Sequence, residues 1–196
     1  MSSPMLNLGN WIECTEVEGP GKRFAIWTQG CHIRCTDCCN PELLPFVPNR
    51  LVEVDDMVQR IETAREQHRI EGITLLGGEP MIQARGLLLL AREVRRLDLT
   101  VMLFTGYVLG KGRSLPDGGE ELLEQCDLVV DGPYVPGRQE GQRNWVGSTN
   151  QRFHYLTPAY NSSIERALRY RNGIEIRLGD SGEMLVNGFP FQAGCR

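Results

Sequence analysis

Ile73-Thr74-Leu75-Leu76-Gly77-Gly78-Glu79-Pro80 is a short apolar run that stops at two glycines. A run with so little polar alternation is the pattern of a strand covered on both faces, as in a parallel sheet. On its N-terminal side, Val54, Met57, Val58, Ile61 and Ala64 recur at helical spacing over about residues 54–67, and Gly72 separates that helix from the strand. On its C-terminal side, Leu87, Leu90, Ala91, Val94 and Leu97 form a second stripe over about 83–96. The alternation continues with a buried strand at 100–104 ending in Thr105-Gly106, then a short helix at 118–125. A strand at 127–130 follows, ending in Asp131-Gly132-Pro133. Upstream, 10–15 and 24–28 read as short strands joined through the Gly19-Pro20-Gly21 turn. Alternating strands and helices predict an α/β fold with a mostly parallel sheet and helical crossovers. A closed eight-fold barrel usually needs ~250 residues and this chain has 196, so the expectation is an incomplete, open β/α barrel.

Between the second strand and the first helix, Pro41, Pro45 and Pro48 work against regular structure. Residues 134–149 are polar and rich in Gly and Arg, and read as a long surface loop. Residues 162–171 supply one or two helical turns, and 173–178 with 183–186 read as a terminal β-hairpin around Gly179-Asp180-Ser181-Gly182. A single domain over 1–196 is expected, its motif-bearing core at about 11–133 and its loop and hairpin at 134–190. The net charge of −4 disfavours a general nucleic-acid or membrane-surface binder. The longest apolar run, residues 87–91, is far short of a membrane span. The N-terminus lacks a basic region followed by an apolar run, so no signal peptide is expected. Seven cysteines, an odd number, then read as cytoplasmic thiols and ligands rather than disulfides.

Parallel α/β folds place their chemistry at the carboxyl ends of the strands. Directly after the second strand comes Cys31-His32-Ile33-Arg34-Cys35-Thr36-Asp37-Cys38. Three cysteines in one short loop cannot pair without leaving one over, but they can converge on a metal centre. Tetrahedral zinc would want a fourth protein ligand, whereas a four-iron cluster can leave one iron open. The other strand ends carry Gly77-Gly78-Glu79-Pro80, Thr105-Gly106 and Asp131-Gly132, and all four should lie along one rim. Gly77 and Gly78 let backbone approach a ligand closely, and Glu79-Pro80 presents carbonyls and a carboxylate suited to an ammonium group; the plainer reading is a tight strand-to-helix turn.

Three motifs in order and spacing resemble the radical S-adenosylmethionine superfamily. They are the Cys-x3-Cys-x2-Cys loop, Gly77-Gly78-Glu79-Pro80, and the leader Glu18-Gly19-Pro20-Gly21-Lys22-Arg23-Phe24. More narrowly, the chain resembles the family of anaerobic ribonucleotide reductase activating proteins, which activate glycyl-radical enzymes. Trp27-Thr28-Gln29-Gly30-Cys31, Asn40-Pro41-Glu42-Leu43, residues 127–134 and residues 147–152 carry that resemblance, which spans about 11–190. It implies that Cys31, Cys35 and Cys38 hold a [4Fe-4S] cluster whose open iron binds the amino and carboxylate groups of S-adenosylmethionine. Gly77, Gly78, Glu79 and Pro80 would hold the methionine amine, backbone around Asp37, Cys38 and Cys39 would line the adenosyl side, and Thr105 would touch the ribose or carboxylate, or else only cap a turn. No protein group beyond the cluster is expected to be catalytic. An electron from a low-potential donor such as flavodoxin or ferredoxin would cleave the cofactor to methionine and a 5′-deoxyadenosyl radical, which takes hydrogen from a glycine of a partner glycyl-radical enzyme. Related readings are radical chemistry on a small molecule or peptide, and a zinc module closed by His32 or Cys39. Two positions depart from the family's usual aromatics, Asp37 before the third cysteine and Cys39 after it.

The remaining candidates have plainer readings. Cys14 and Cys126 read as small hydrophobes and Cys195 as an incidental thiol near the chain end. Arg92, Arg95 and Arg96 with Glu93 read as a solvated helix face, and Arg138, Arg143 and Arg152, in or beside the long loop, read first as ordinary loop residues, contact with an acidic partner being the lesser alternative.

Overall fold

The structure is a computed structural model that describes residues 4–110, 112, 114–179 and 181–189. In chain order its elements are β1 (Met5–Thr15), β2 (Arg23–Thr28), β3 (Arg50–Glu53), α1 (Val54–His68), β4 (Gly72–Gly77), α2 (Ala84–Arg96), β5 (Thr100–Thr105), α3 (Gly119–Glu124), β6 (Leu128–Asp131), β7 (Arg152–Tyr155), β8 (Ile174–Leu178) and β9 (Met184–Gly188). Seven strands form one sheet in the order β3-β1-β2-β4-β5-β6-β7. The central neighbours β2, β4, β5 and β6 are parallel, and the flanking pairs β1–β2, β1–β3 and β6–β7 are antiparallel. Among the described residues β3 and β7 do not meet, so the sheet is an open barrel wall.

The apolar strand runs are explained by two cores, one on each face. Phe24, Ile26, Ile73, Leu75, Val101, Leu103 and Val129 alternate onto the outer face, where they pack with Met57 and Ile61 of α1 and Leu87, Leu90 and Val94 of α2. The intervening residues face the concave side. There Met102, Leu128 and Val130 pack with Trp145, Val146 and Ile164, while Ile12, Ala25 and Trp27 pack with Leu43.

Several expectations change at the edges. β1 begins at Met5 rather than at residue 10, because Met5–Leu8 pair with β3, a strand the proline-rich stretch concealed. Residues 134–149 are not simply a surface loop: Asn144–Ser148 are buried and Trp145 and Val146 plug the concave side. The turns expected within 162–171 are two 3-10 turns, Ser162–Arg166 and Leu168–Tyr170, and β7 follows the loop unforeseen. Arg95 is not merely solvated, since its guanidinium meets the buried Asp127 at 2.6 Å. Cys126 is buried as expected, whereas Cys195 lies outside the described residues.

At the amino ends of the parallel strands lies Arg23, with no exposed surface. Its guanidinium donates to Thr74 Oγ1 at 2.7 Å, Thr100 Oγ1 at 3.1 Å, Tyr160 Oη at 3.1 Å and Pro20 O at 3.2 Å, and also to Ile73 O. A forked donor therefore staples β2, β4 and β5 through neutral acceptors. Arg23→Lys keeps the charge but loses the fork, leaving buried acceptors unmet. It should lower the unfolding free energy by on the order of 3 kcal/mol in an anaerobic denaturant titration, while Arg96→Lys on the surface changes it little.

Candidate metal centre

The carboxyl ends of β2, β4, β5 and β6 converge as expected. Cys31, Gly77, Gly78, Thr105, Gly106 and Gly132 all line one cavity of about 570 Å³, together with Cys35, Cys38, Cys39 and Glu79. Its inner wall is apolar, made by Ile12, Trp27, Leu76, Phe104 and Val130.

The cysteine loop is closed at its base by backbone. Gly30 N donates to Leu43 O at 2.9 Å and Cys31 N to Leu44 O at 3.1 Å, while the Gln29 amide donates to Pro45 O at 2.9 Å. This is why the flanks Trp27–Gly30 and Asn40–Leu43 occur together: they are the two sides of one neck. Within the loop, Arg34 and Asp37 adopt left-handed backbone, φ 50° and 56°. Asp is among the residues that tolerate this region best, which gives a physical reason for Asp37 where an aromatic is usual.

Cys31 is buried, Cys35 and Cys38 are half-buried and Cys39 is exposed. Burial pushes the Cys35 and Cys38 thiols up; backbone hydrogen bonds at Tyr134 and Asn40 respectively oppose this, and charge on neighbouring cysteine sulfurs raises both further. Sulfurs that feel one another's charge in a shared cavity are suited to a multiply charged cation, which relieves both penalties. As they stand, among the described residues no three His, Cys, Asp or Glu side chains converge as around a single metal ion. His32 faces elsewhere, its Nε2 3.1 Å from the Tyr107 hydroxyl with the rings edge-on. Of the four cysteines that line the cavity, Cys31, Cys35 and Cys38 are the more buried and Cys39 is exposed, a donor set that fits a [4Fe-4S] cluster with one open iron.

The Gly77–Pro80 turn packs on the neck of that loop. Gly78 N donates to Thr28 O at 2.8 Å and Glu79 N to Gly30 O at 2.9 Å. A Cβ on Gly78 would stand 2.3 Å from Gly30 O, and Gly77 has φ 118°, so both positions require glycine. Glu79 is buried, and its carboxylate accepts from Met81 N at 3.0 Å, Thr105 Oγ1 at 2.8 Å and Gly106 N at 2.8 Å. Burial pushes its pKa up against these three bonds. Pro80 opens a 3-10 turn, Pro80–Gln83, leading into α2. The Thr105 hydroxyl is thus engaged by Glu79 and also accepts from Tyr107 N at 3.1 Å, so the turn-capping role is present.

Sequence reasoning did not find Tyr107, whose ring reaches the cysteine loop and whose carbonyl accepts from Gly132 N at 2.9 Å. Nor did it find that Asp131 is a structural acceptor: Arg152 Nη2 lies 2.5 Å and His154 Nε2 3.1 Å from its Oδ2, and Leu109 N donates to it at 2.7 Å. Arg143 is likewise bound internally, to Glu140 at 2.7 Å, so neither Arg143 nor Arg152 is a loose loop cation. A signal for Asp131 lay in its place at the end of a wholly apolar strand. The hairpin's share of the cavity wall had no sequence signal.

Residues 17–154 match the family described as 4Fe-4S single cluster domain. The chain belongs to this family. Its cofactor, the [4Fe-4S] cluster, suits the loop described above. Among relatives, the anaerobic ribonucleoside-triphosphate reductase-activating protein of Vibrio cholerae is 29% identical over 78% of this chain and 99% of that protein. The protein of the same name from Haemophilus influenzae is 29% identical over 70% of this chain and 90% of its own. The pyruvate formate-lyase-activating enzyme of Staphylococcus aureus is 33% identical over 58% of this chain, which spans 47% of that enzyme. Among solved structures, Escherichia coli QueE aligns with a TM-score of 0.47 at 16% identity, covering 65% of this chain and 70% of that one.

Gly78→Ala should displace the neck carbonyl and lower iron bound per chain after anaerobic reconstitution at least about twofold, with the helix content by circular dichroism unchanged. Asp131 responds to acid: burial alone would raise its pKa, but Arg152, the Leu109 amide and His154 outweigh it and hold the carboxyl below the usual range. Its contribution to stability is then present above about pH 4 and is lost as pH falls through the lowered folded value. Asp131→Asn should therefore destabilise the chain at pH 7 and flatten its loss of stability below about pH 4, as read by thermal melts across pH.

Proposed function

We propose that this chain is a radical S-adenosylmethionine activase that installs a glycyl radical on a partner enzyme such as an anaerobic ribonucleotide reductase. The observation that carries this reading is the shared cavity: Cys31, Cys35 and Cys38 line it together with a glycine turn buttressed by Glu79. The activating proteins named among the relatives support it, two of them over nearly the whole of their own length.

Cys31, Cys35 and Cys38 would ligate the cluster. When bound, the cluster and S-adenosylmethionine supply one-electron cleavage of a carbon–sulfur bond, giving methionine and a 5′-deoxyadenosyl radical that takes a hydrogen atom from a glycine α-carbon. The carbonyls of Gly77 and Gly78 and the remaining lone pairs of Glu79 would receive the methionine amine, with Pro80 fixing the turn that presents them. Thr105 would act chiefly by holding Glu79 in place. Backbone at Asp37 and Cys39 would flank the adenosyl side, and Trp27, Leu76, Phe104 and Val130 would keep water from the reacting carbon. Cys39 is read as a non-ligand. The electron would come from a low-potential donor such as flavodoxin or ferredoxin, in the cytoplasm. No helix of the described residues is long and apolar enough to cross a membrane.

Anaerobic reconstitution with iron and sulfide, followed by dithionite and S-adenosylmethionine, should release methionine and 5′-deoxyadenosine. Adding the organism's anaerobic ribonucleotide reductase should yield a glycyl-radical signal by electron paramagnetic resonance. Cys35→Ala should abolish both, and Cys39→Ala should retain the iron and the cleavage. A colourless protein with one tightly held zinc would sink the radical reading. Cleavage without radical transfer to any glycyl-radical enzyme would leave the chemistry but remove the activase assignment.

A further inference from the structure

The cysteine loop is held at a second place besides its neck, by side chains rather than main chain. His32 and Ile33, the two residues after Cys31, both reach the turn Thr105-Gly106-Tyr107 at the end of β5. Gly106 leaves room for Ile33, since a Cβ there would stand 2.5 Å from Ile33 Cδ1. Beside it, His32 Nε2 lies 3.1 Å from the Tyr107 hydroxyl, with the ring centroids 5.4 Å apart and edge-on. His32 is exposed, so burial does not force its ring onto Tyr107. The turn itself is fixed from behind. Tyr107 N donates to Thr105 Oγ1 at 3.1 Å, and Thr105 Oγ1 donates to Glu79 at 2.8 Å. Gly106 N donates to the other Glu79 oxygen at 2.8 Å, and Gly132 N donates to Tyr107 O at 2.9 Å. The Tyr107 side chain also packs against the outer core.

These contacts join two parts of the site whose separation matters. In the radical reading the methionine end of the cofactor would be held at once by the cluster and by the glycine turn with Glu79. A ligand held at two points binds well only when the protein fixes their separation beforehand; otherwise binding must also order the loop. The neck fixes one side of the loop, through Gly30 to Gly78 and Glu79. We infer that Tyr107 is a positioning residue: through His32 it ties the cysteine loop to the Glu79 turn and so sets the reach between cluster and amine site. The inference rests on the radical S-adenosylmethionine reading of the previous subsection. Tyr107 does not itself line the cavity, so it acts through His32 and Thr105 rather than on the cofactor. A rim contact that only steadied the fold would change stability and leave cofactor affinity alone.

Tyr107→Phe keeps the ring and deletes the hydroxyl, and His32→Leu deletes the other half of the contact. Tyr170→Phe, the same deletion on the 3-10 turn Leu168–Tyr170, is the control. Two kinds of measurement are made anaerobically. In the iron-free chain, hydrogen exchange over residues 31–38 is followed by mass spectrometry. In the reconstituted chain, iron content is measured, and partner-free S-adenosylmethionine cleavage with dithionite gives kcat and KM. Tyr107→Phe should speed exchange of the loop about threefold or more and raise KM for S-adenosylmethionine about three- to tenfold, with kcat and iron per chain within about twofold of wild type. His32→Leu should do the same, and the double variant should be no worse than either single one. Tyr170→Phe should match wild type throughout. An unchanged KM in Tyr107→Phe overturns the proposal, as does a double variant whose effects multiply. Joint loss of iron and kcat would make the contact part of the cluster socket, and overturns it too. Because cleavage is read without a partner, failure to activate any glycyl-radical enzyme removes only the activase assignment. Absence of cleavage in reconstituted wild type removes the radical reading, and the inference falls with it.

Discussion

Glu79 holds the rim of the cavity together. One carboxylate accepts from Met81 N, Thr105 Oγ1 and Gly106 N, joining the ends of β4 and β5, while its own N–H is spent on Gly30 O at the neck of the cysteine loop. A buried carboxylate is costly unless its acceptor sites are filled, and filling them from two strands forces those strand ends into register. The glycines before it serve the same contact from the other side, since any side chain on Gly78 would strike the Gly30 carbonyl. The cysteine loop, the glycine turn and the β5 rim are therefore one unit.

The opposite end of the sheet is fastened by a different device. Arg23 spreads its donors over β2, β4, β5 and Tyr160 at the amino ends of the parallel strands. Between these two polar fixtures the sheet is apolar on both faces, and the concave face is filled by residues that follow β6 rather than by further β/α units. Trp145 and Val146 do for this short chain what additional strands do for a longer barrel.

The parallel core was legible because buried strands and amphipathic helices leave strong periodic signals, as at residues 73–76 and 87–97. The cysteine loop and the glycine turn were legible because their chemistry restricts residue type. What escaped depended on distant partners. β3 has four residues and owes its strand to Met5–Leu8; Arg95 looked solvated until Asp127 met it. The polar composition of residues 134–149 concealed a plug of only a few apolar residues, and the polarity of β8–β9 cannot be oriented until Glu18 and Cys14 supply inner partners.

The neck of the cysteine loop has a consequence for how iron and fold relate. Its closure is made by Gly30, Cys31, Leu43 and Leu44 through main-chain bonds, with Gln29 bracing it, and none of these bonds uses a sulfur. In small zinc modules the metal is the folding nucleus and its removal unfolds the chain. Here the neck of the loop is closed by main chain alone. A chain stripped of iron by oxygen should keep its shape and wait to be refilled, so exposure to air would count as an interruption of service rather than the end of the molecule.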